Sequence, residues 1–293
     1  MNRRQFVATA VGGGMWVPLR LRAERFVERW SWAMGQAVHV LVFAESEDRG
    51  LEACAAALGE LRRVEDRLSL FADQSDLCEL NRCAGKRPMR VDTDLRTVLQ
   101  AAEGFRRLTR GAFDPAVEPL MRTWGFHRPR RTVPSAAQIA EARQAVTAAV
   151  VRLEGDAVSL PSMHTQLDFG GIGVGYGIDR AIAVLRAHGI GRGFIDVSGD
   201  CYGLGAPPGQ PEGWAVDIAG TSKTLRLRDR ALATSSNTAS VIRLQGQLVG
   251  HIMNPATGYP ADMHRQVTIV APTATAADAL STAALVSGAR SNA

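Results

Sequence analysis

Lysine is almost missing from this chain: Lys86 and Lys223 are the only two among 34 basic residues, so the formal net charge of +5 rests on arginine. The 29 acidic residues are interspersed with the basic ones, and no basic stripe carries interleaved aromatics. That pattern excludes a nucleic-acid partner, and the bias toward arginine reflects genome composition rather than a ligand. Cysteine is scarce too. Cys54, Cys78, Cys83 and Cys201 form no C-x-x-C, and no histidine or cysteine sits at zinc spacing, so they read as structural thiols. There is no G-x-G-x-x-G turn and no Gly-Lys-Ser/Thr, which excludes a dinucleotide-binding turn and a P-loop. Repeats, low-complexity tracts and internal linkers are likewise lacking. What remains is 293 residues with 46% hydrophobic content, enough for a folded, soluble globule with a substantial core.

The N-terminus has its own signature. MNRRQFVATAVGGGMWVPL sets Arg3 and Arg4 before Phe6 and a short apolar run broken by glycine, the form of a twin-arginine export signal. The run is too short to span a bilayer as a stable helix, and no cysteine follows it to take a lipid. The expectation is a signal segment over 1–23 and a single domain over 24–293. The chain would be exported to the periplasm, or be membrane-associated if the segment stays uncleaved, and would not be a lipoprotein. Export of a folded chain agrees with cysteines that need no disulfide.

The domain is organised around QLDFGGIGVGYGIDRAIAVLRAHG, residues 166–189. The pattern predicts a strand ending at Phe169, a loop with glycine at 170, 171, 173, 175 and 177, and a helix from Ile178. Such a loop lets backbone groups approach a phosphate or cation, or else supplies a turn with positive φ. Before it, the sequence predicts a strand over 33–43 and helices over 50–70, 94–110 and 134–146. A short helix capped by Ser75 and ending at Asn81, and strands over 150–153 and 157–160, complete that half. Pro115 holds Asp114 extended, which would aim its carboxylate out of a turn. After the loop, GFIDVSGDCYGLG and GWAVDIAG read as strands at one sheet edge. Strands over 224–227 and 231–234, a hairpin turning at 245–247, the polar turn HIMNPATGYP and the strand QVTIVAP follow. A final Ala-rich helix places Asp278 and Thr282 one turn apart. The fold class is α+β, with mixed, largely antiparallel sheets and packed helices.

Several of these pieces, in order from about Met34 to Leu285, resemble the ApbE family of FAD:protein FMN transferases: AMGQ, SLFADQSDLCELN, GAFDP with LMRTWGF, LDFGGIGVGYGIDRA, FIDVSGD, ALATSS, HIMNPATGYP and VTIVAP with ADALSTA. The resemblance implies a T-fold-like architecture and a Mg²⁺-dependent enzyme that splits FAD, passes FMN to a threonine hydroxyl of an acceptor protein and releases AMP. The acceptor would be a membrane or periplasmic electron-transfer subunit. Residue by residue, Met34 and Phe71 would enclose the isoalloxazine ring, and Ala112, Phe113 and Asp114 would hold the flavin end. Asp168 and Ile252 join the FAD-binding set. The Gly173 carbonyl, Asp278 and Thr282 would bind metal with Ser281 beside them, and His251 would be the general base.

The residue types suit that chemistry on their own terms. Breaking a pyrophosphate calls for positive charge, and Mg²⁺ takes carboxylate, hydroxyl and carbonyl oxygens. A threonine hydroxyl needs a base with a pKa near neutrality. The chain departs from the family pattern where Val174 replaces a lysine, Asn254 replaces an aspartate, and Ser235-Ser236-Asn237 replaces a serine-glycine turn; its C-terminal part is also expected to be short. Two rivals follow: hydrolysis of FAD at the same site, and a catalytically weakened flavin-binding accessory protein.

Overall fold

The computed structural model describes residues 24–288; the twin-arginine segment lies outside the described residues. The strand expected over 33–43 is the second half of a hairpin, β1 (Arg25–Ala33) and β2 (Gln36–Ala44). Met34 and Gly35 close it with φ of 56° and 67°, the two positive values that a tight two-residue hairpin turn requires. Sequence reading missed β1 because RFVERWSWA turns its aromatics outward: Phe26, Trp30 and Trp32 are exposed while Val27 and Ala33 are buried. Helix α1 (Glu47–Leu68) starts at the Ser46 cap and α2 (Asp76–Cys83) at the expected Ser75 cap. After β3 (Met89–Arg90), α3 (Thr93–Leu108) is capped by Asp92. An unforeseen helix, α4 (Glu118–Trp124), follows; it is short, has proline in its first turn and stops at Gly125 with φ of 102°. Its length of seven residues gives too few turns for periodicity to show. Helix α5 (Ala136–Thr147) opens on a Ser135/Gln138 capping box, and β5 (Ala157–Ser159) pairs with both β3 and β4 (Arg152–Glu154) in a small sheet of order β3-β5-β4.

The glycine stretch differs from expectation. No strand precedes it, and α6 (Gly173–Ala187) begins at Gly173, not at Ile178. None of Gly170, Gly171, Gly173, Gly175 or Gly177 has a positive φ. Close packing accounts for three of them. A Cβ on Gly175 would overlap the Ala274 carbonyl, one on Gly177 would lie 3.2 Å from Leu61 Cδ2, and one on Gly171 3.0 Å from Thr282 Oγ1. Gly171 and Gly175 let the last helix approach closely, and Gly177 does the same for α1.

The second half supplies β6 (Arg192–Val197), β7 (Asp200–Leu204), β8 (Trp214–Asp217), β9 (Thr224–Leu227), β10 (Arg230–Ser236), β11 (Val241–Leu244), β12 (Gln247–Gly250), β13 (Gln266–Ala271) and α7 (Ala274–Ser287). The main sheet runs β1-β2-β6-β7-β10-β13 and is antiparallel throughout. The strands of GFIDVSGDCYGLG therefore sit at its centre, not at an edge, and β8 and β9 form a separate hairpin. Both faces of the central strands are covered. Ile195 and Val197 face the helices, while Phe194 meets Trp214 of β8 at 5.5 Å.

Three helices, α1, α6 and α7, pack on one face of this sheet through Leu61, Ile178, Ile182, Leu185 and Ala277. Full burial of each leucine or isoleucine contributes about 1.5–3 kcal/mol. A second core joins the end of α1 to α2, α3 and the small sheet, and a third joins α4 and α5 to the β11–β12 hairpin. The fold class is α+β as expected.

Candidate active site

The cores leave a cleft of about 250 Å³, walled by β7, β10 and α7 on one side and by the loops at 112–117, 168–171 and 251–255 on the other. Among its lining residues are eight of the expected site residues: Ala112, Phe113, Asp114, Asp168, His251, Ile252, Asp278 and Thr282. Four others stand apart. Gly173 is buried at the start of α6, where its amide donates to Phe169 O at 2.7 Å. Ser281 is buried behind Thr282 and bonds Ser235 at 2.8 Å. The Met34 amide donates to Glu65 at 2.7 Å and its side chain tucks in beside Gly177. Phe71 is 83% exposed and lines an adjoining groove, its ring edge-on to His127 at 5.7 Å.

The α7 wall is fixed by the sequence's own capping chemistry. Asp179 of α6 accepts the Ala274 and Thr275 amides at the start of α7, at 2.8 and 2.9 Å, and the glycine at 175 lets the helices meet. Gly175 then donates its amide to Asp278 Oδ2 at 3.0 Å, so the carboxylate is held at the cleft. Opposite stands Asp200, which accepts the Thr234 amide at 2.9 Å. Burial, and then the Asp200 charge, push the Asp278 pKa well up; burial, with Asp196 adding, raises Asp200 to about 6. Asp200 was absent from the expected set, although it closes the FIDVSGD motif. The signal was the Ser198-Gly199 turn, with φ of 50° and 105°, which delivers the next residue to the strand end.

The opposite wall balances its charges. Asp114 does not point out of its turn: it folds back to accept the Ala116 amide at 2.9 Å and pairs with Arg106 at 2.9 Å. Burial still raises its pKa, against the pull of that amide and of Arg106. Asp168 accepts the Gly170 amide at 2.7 Å and has His127 Nε2 at 3.6 Å. His251 contacts the Ser240 carbonyl through Nδ1 at 3.2 Å. A carbonyl only accepts, so Nδ1 carries the proton and Nε2 keeps a free lone pair. Burial lowers the His251 pKa, more than Ser240 and Asp168 raise it, which keeps the ring neutral near pH 7. The loop bearing it is held by fully buried Asn237, which accepts the Ile252 amide at 2.7 Å and donates to Ala261 O at 2.6 Å. Asn254, where the family has aspartate, accepts the Ala256 and Thr257 amides at 2.9 and 3.2 Å, a turn-closing task.

No lysine or arginine is among the described residues lining the cleft, which carries Asp114, Asp168, Asp200 and Asp278. The donors at the α7 wall are carboxylate and hydroxyl oxygens, the hard set suited to Mg²⁺. Among the described residues no three His, Cys, Asp or Glu side chains gather as a metal cluster. A cation here would thus take one or two carboxylates and complete its shell with hydroxyl, water or substrate oxygens, as Mg²⁺ commonly does.

The chain resembles known proteins along most of its length. The ApbE family pattern matches residues 34–293. A relative from Treponema pallidum named FAD:protein FMN transferase is 32% identical over 251 residues, covering 78% of this chain and 69% of its own. One of that name from Vibrio cholerae is 29% identical over 238 residues, covering 78% and 71%. Among solved structures, the ApbE protein of Thermotoga maritima superposes with a TM-score of 0.80 at 30% identity, over 89% of this chain and 87% of that one. The apo flavinyl transferase ApbE of Pseudomonas stutzeri gives 0.80 at 25% identity, over 91% and 86%. The ordered motifs, the cleft they build and these matches lead to one conclusion: this chain belongs to the ApbE family.

Proposed function

We propose that this chain is an FAD:protein FMN transferase that moves FMN from FAD to a threonine hydroxyl of an acceptor protein, with Mg²⁺, and releases AMP. The observation that carries the reading is the charge of the cleft. A substrate with a diphosphate cannot enter a cleft lined by four aspartates and, among the described residues, no lysine or arginine unless a cation comes with it. Asp278, Asp200 and Thr282 would hold that cation, and bound there Mg²⁺ would neutralise the diphosphate as its bridge breaks. His251 Nε2 takes the proton of the acceptor hydroxyl. The hydroxyl oxygen bonds the phosphorus of the FMN half, the bond from that phosphorus to the bridging oxygen breaks, and AMP leaves with the bridging oxygen and the electron pair.

Val174 in the cleft wall, where the family carries lysine, favours the reading of a weakened flavin binder, and the open Nε2 of His251 would serve water as well as threonine. Intact-mass analysis of the full chain with FAD, Mg²⁺ and a flavin-carrying electron-transfer subunit separates the three. The acceptor gains FMN as AMP appears; or AMP and free FMN appear without the acceptor; or neither occurs, which sinks both enzyme readings. A chelator should stop transfer and added Mg²⁺ restore it. Export through the twin-arginine route is part of the proposal, supported by Arg3-Arg4 and by four cysteines that are all free thiols. Replacing both arginines with lysine should retain the protein in the cytoplasm; unchanged export overturns this.

A further inference from the structure

Beside the cleft, a cluster of ionisable groups around the buried Glu118 has no place in the chemistry above. Glu118 is 4% exposed at the start of α4, and its Oε1 is bound by Arg122 at 2.8 Å. Among the described residues its Oε2 has no hydrogen-bond partner, nor has the Nδ1 of His127. The His127 ring is wedged between two carboxylates, with Nδ1 3.7 Å from Glu118 Oε1 and Nε2 3.6 Å from Asp168 Oδ2. Both spacings exceed a hydrogen bond, so the ring acts through charge. The same ring supports the Phe71 side chain edge-on. One imidazole therefore touches two residues that belong to the expected flavin set, one inside the cleft and one in the groove outside it.

We propose that His127, held by Glu118, is a positioning residue for the flavin end of the site: wedged between two carboxylates, it holds Asp168 in the cleft wall, where the carboxylate accepts hydrogen bonds from N–H or O–H groups of the flavin half of FAD, while its ring backs Phe71. The inference rests on the proposed flavin chemistry of the cleft. The facing charges are Glu118 and Arg122 from α4 and Asp168 from the loop before α6, with His251 beyond Asp168. Burial alone would lower the His127 pKa; Glu118 and Asp168 outweigh it and raise it, while burial raises the Asp168 pKa and the His127 charge opposes that rise. When the ring loses its proton, Asp168 loses the charge 3.6 Å away that holds its carboxylate in the cleft wall, and the acceptor is no longer fixed in place.

Two measurements test this. The first needs no flavin: the His127 imidazole pKa, read by NMR in the full chain, should fall in Asp168→Asn and in Glu118→Gln. An unchanged value in Asp168→Asn overturns the pairing. The second is a titration with FAD across about pH 6 to 8.5. Wild-type affinity should weaken roughly tenfold as the pH rises, the scale of one hydrogen bond to a charged group. In His127→Gln affinity should be weak and flat over that range, and Asp168→Asn added to it should cost nothing more. A His127→Gln protein that keeps the wild-type pH dependence, or whose loss adds fully to that of Asp168→Asn, overturns the proposal. A wild-type chain that binds no FAD at any pH sinks the proposed function and the flavin role together, and the NMR result then decides the ion pairing alone.

Discussion

The two walls of the cleft hold the same kind of residue in opposite electrostatic states. On the loop wall each carboxylate has a basic neighbour: Arg106 lies 2.9 Å from Asp114, and His127 lies 3.6 Å from Asp168. On the α7 wall, Asp200 and Asp278 oppose one another, and neither has a basic partner among the described residues. Burying an unpaired charge costs several kcal/mol, so such a pair either holds a proton, as the raised pKa values reflect, or draws positive charge from outside the protein. A compensated carboxylate shapes and orients; the uncompensated pair has its pKa values raised and, under the proposed function, would take a cation. The two histidines repeat the contrast. His127 lies between carboxylates and its pKa rises, whereas His251 meets a carbonyl in a buried setting and its pKa falls.

The sharpest way to break this comparison is Asp278→Ala. If the α7 wall serves the cation, transfer should fall on the order of 10³-fold while FAD affinity changes little, since the cation acts mainly as the bridge breaks. Transfer at an ordinary rate, measured by acceptor mass, would remove the wall from the chemistry. Next in size is His251→Gln, expected to slow transfer about 10²-fold. Because its folded pKa lies below 6.5, the wild-type rate should hold at neutral pH and drop as the medium is acidified through that lowered value; the variant should lose this acidic limb. A pH profile identical in both would refute the base assignment.

Asp200→Asn separates stability from function. The folded pKa of about 6 lies above the ordinary carboxylate value of 3.8, so the charge costs stability as pH rises through that window. Without Mg²⁺ the variant should be more stable than the wild type by about 1–3 kcal/mol at pH 7 and equal to it near pH 3.5. Mg²⁺ should raise the wild-type Tm more than the variant's. Denaturant melts at the two pH values decide it; a variant less stable at pH 7 would show that Asp200 is already compensated. The smallest effect is expected from Phe71→Ala. Its ring is 83% exposed and backed on one side by His127, so FAD affinity should weaken by about 1 kcal/mol, read by fluorescence titration. A loss of about 3 kcal/mol or more would mean that the groove closes over the flavin.

Local chemistry was legible in the sequence wherever a short-range rule governs it. Ser75 caps the helix it was expected to cap, the helix expected over 134–146 forms over Ala136–Thr147, and the Gln245-Gly246 hairpin turn has φ of 48° and 86° at the expected place. The four-residue spacing of Asp278 and Thr282 brings both side chains into one cleft, since helical geometry alone puts them on one face. The ordered motifs carried the family. Other features depend on partners far along the chain. The glycines of 170–177 looked like a ligand loop, but Gly175 is set by a carbonyl about a hundred residues away on α7. Asp200 became a site residue only when β7 took a central place in the sheet beside β10 and α7. His127 gained its role because α4, a helix too short to announce itself, set Glu118 against the ring while the loop before α6 brought Asp168 to its other side. Capping, turn chemistry and helical spacing act within a few residues and were determined by the sequence directly. Which carboxylates keep a counter-charge, and which are left facing each other, is a matter of through-space distance and burial, and the tertiary structure alone decided it.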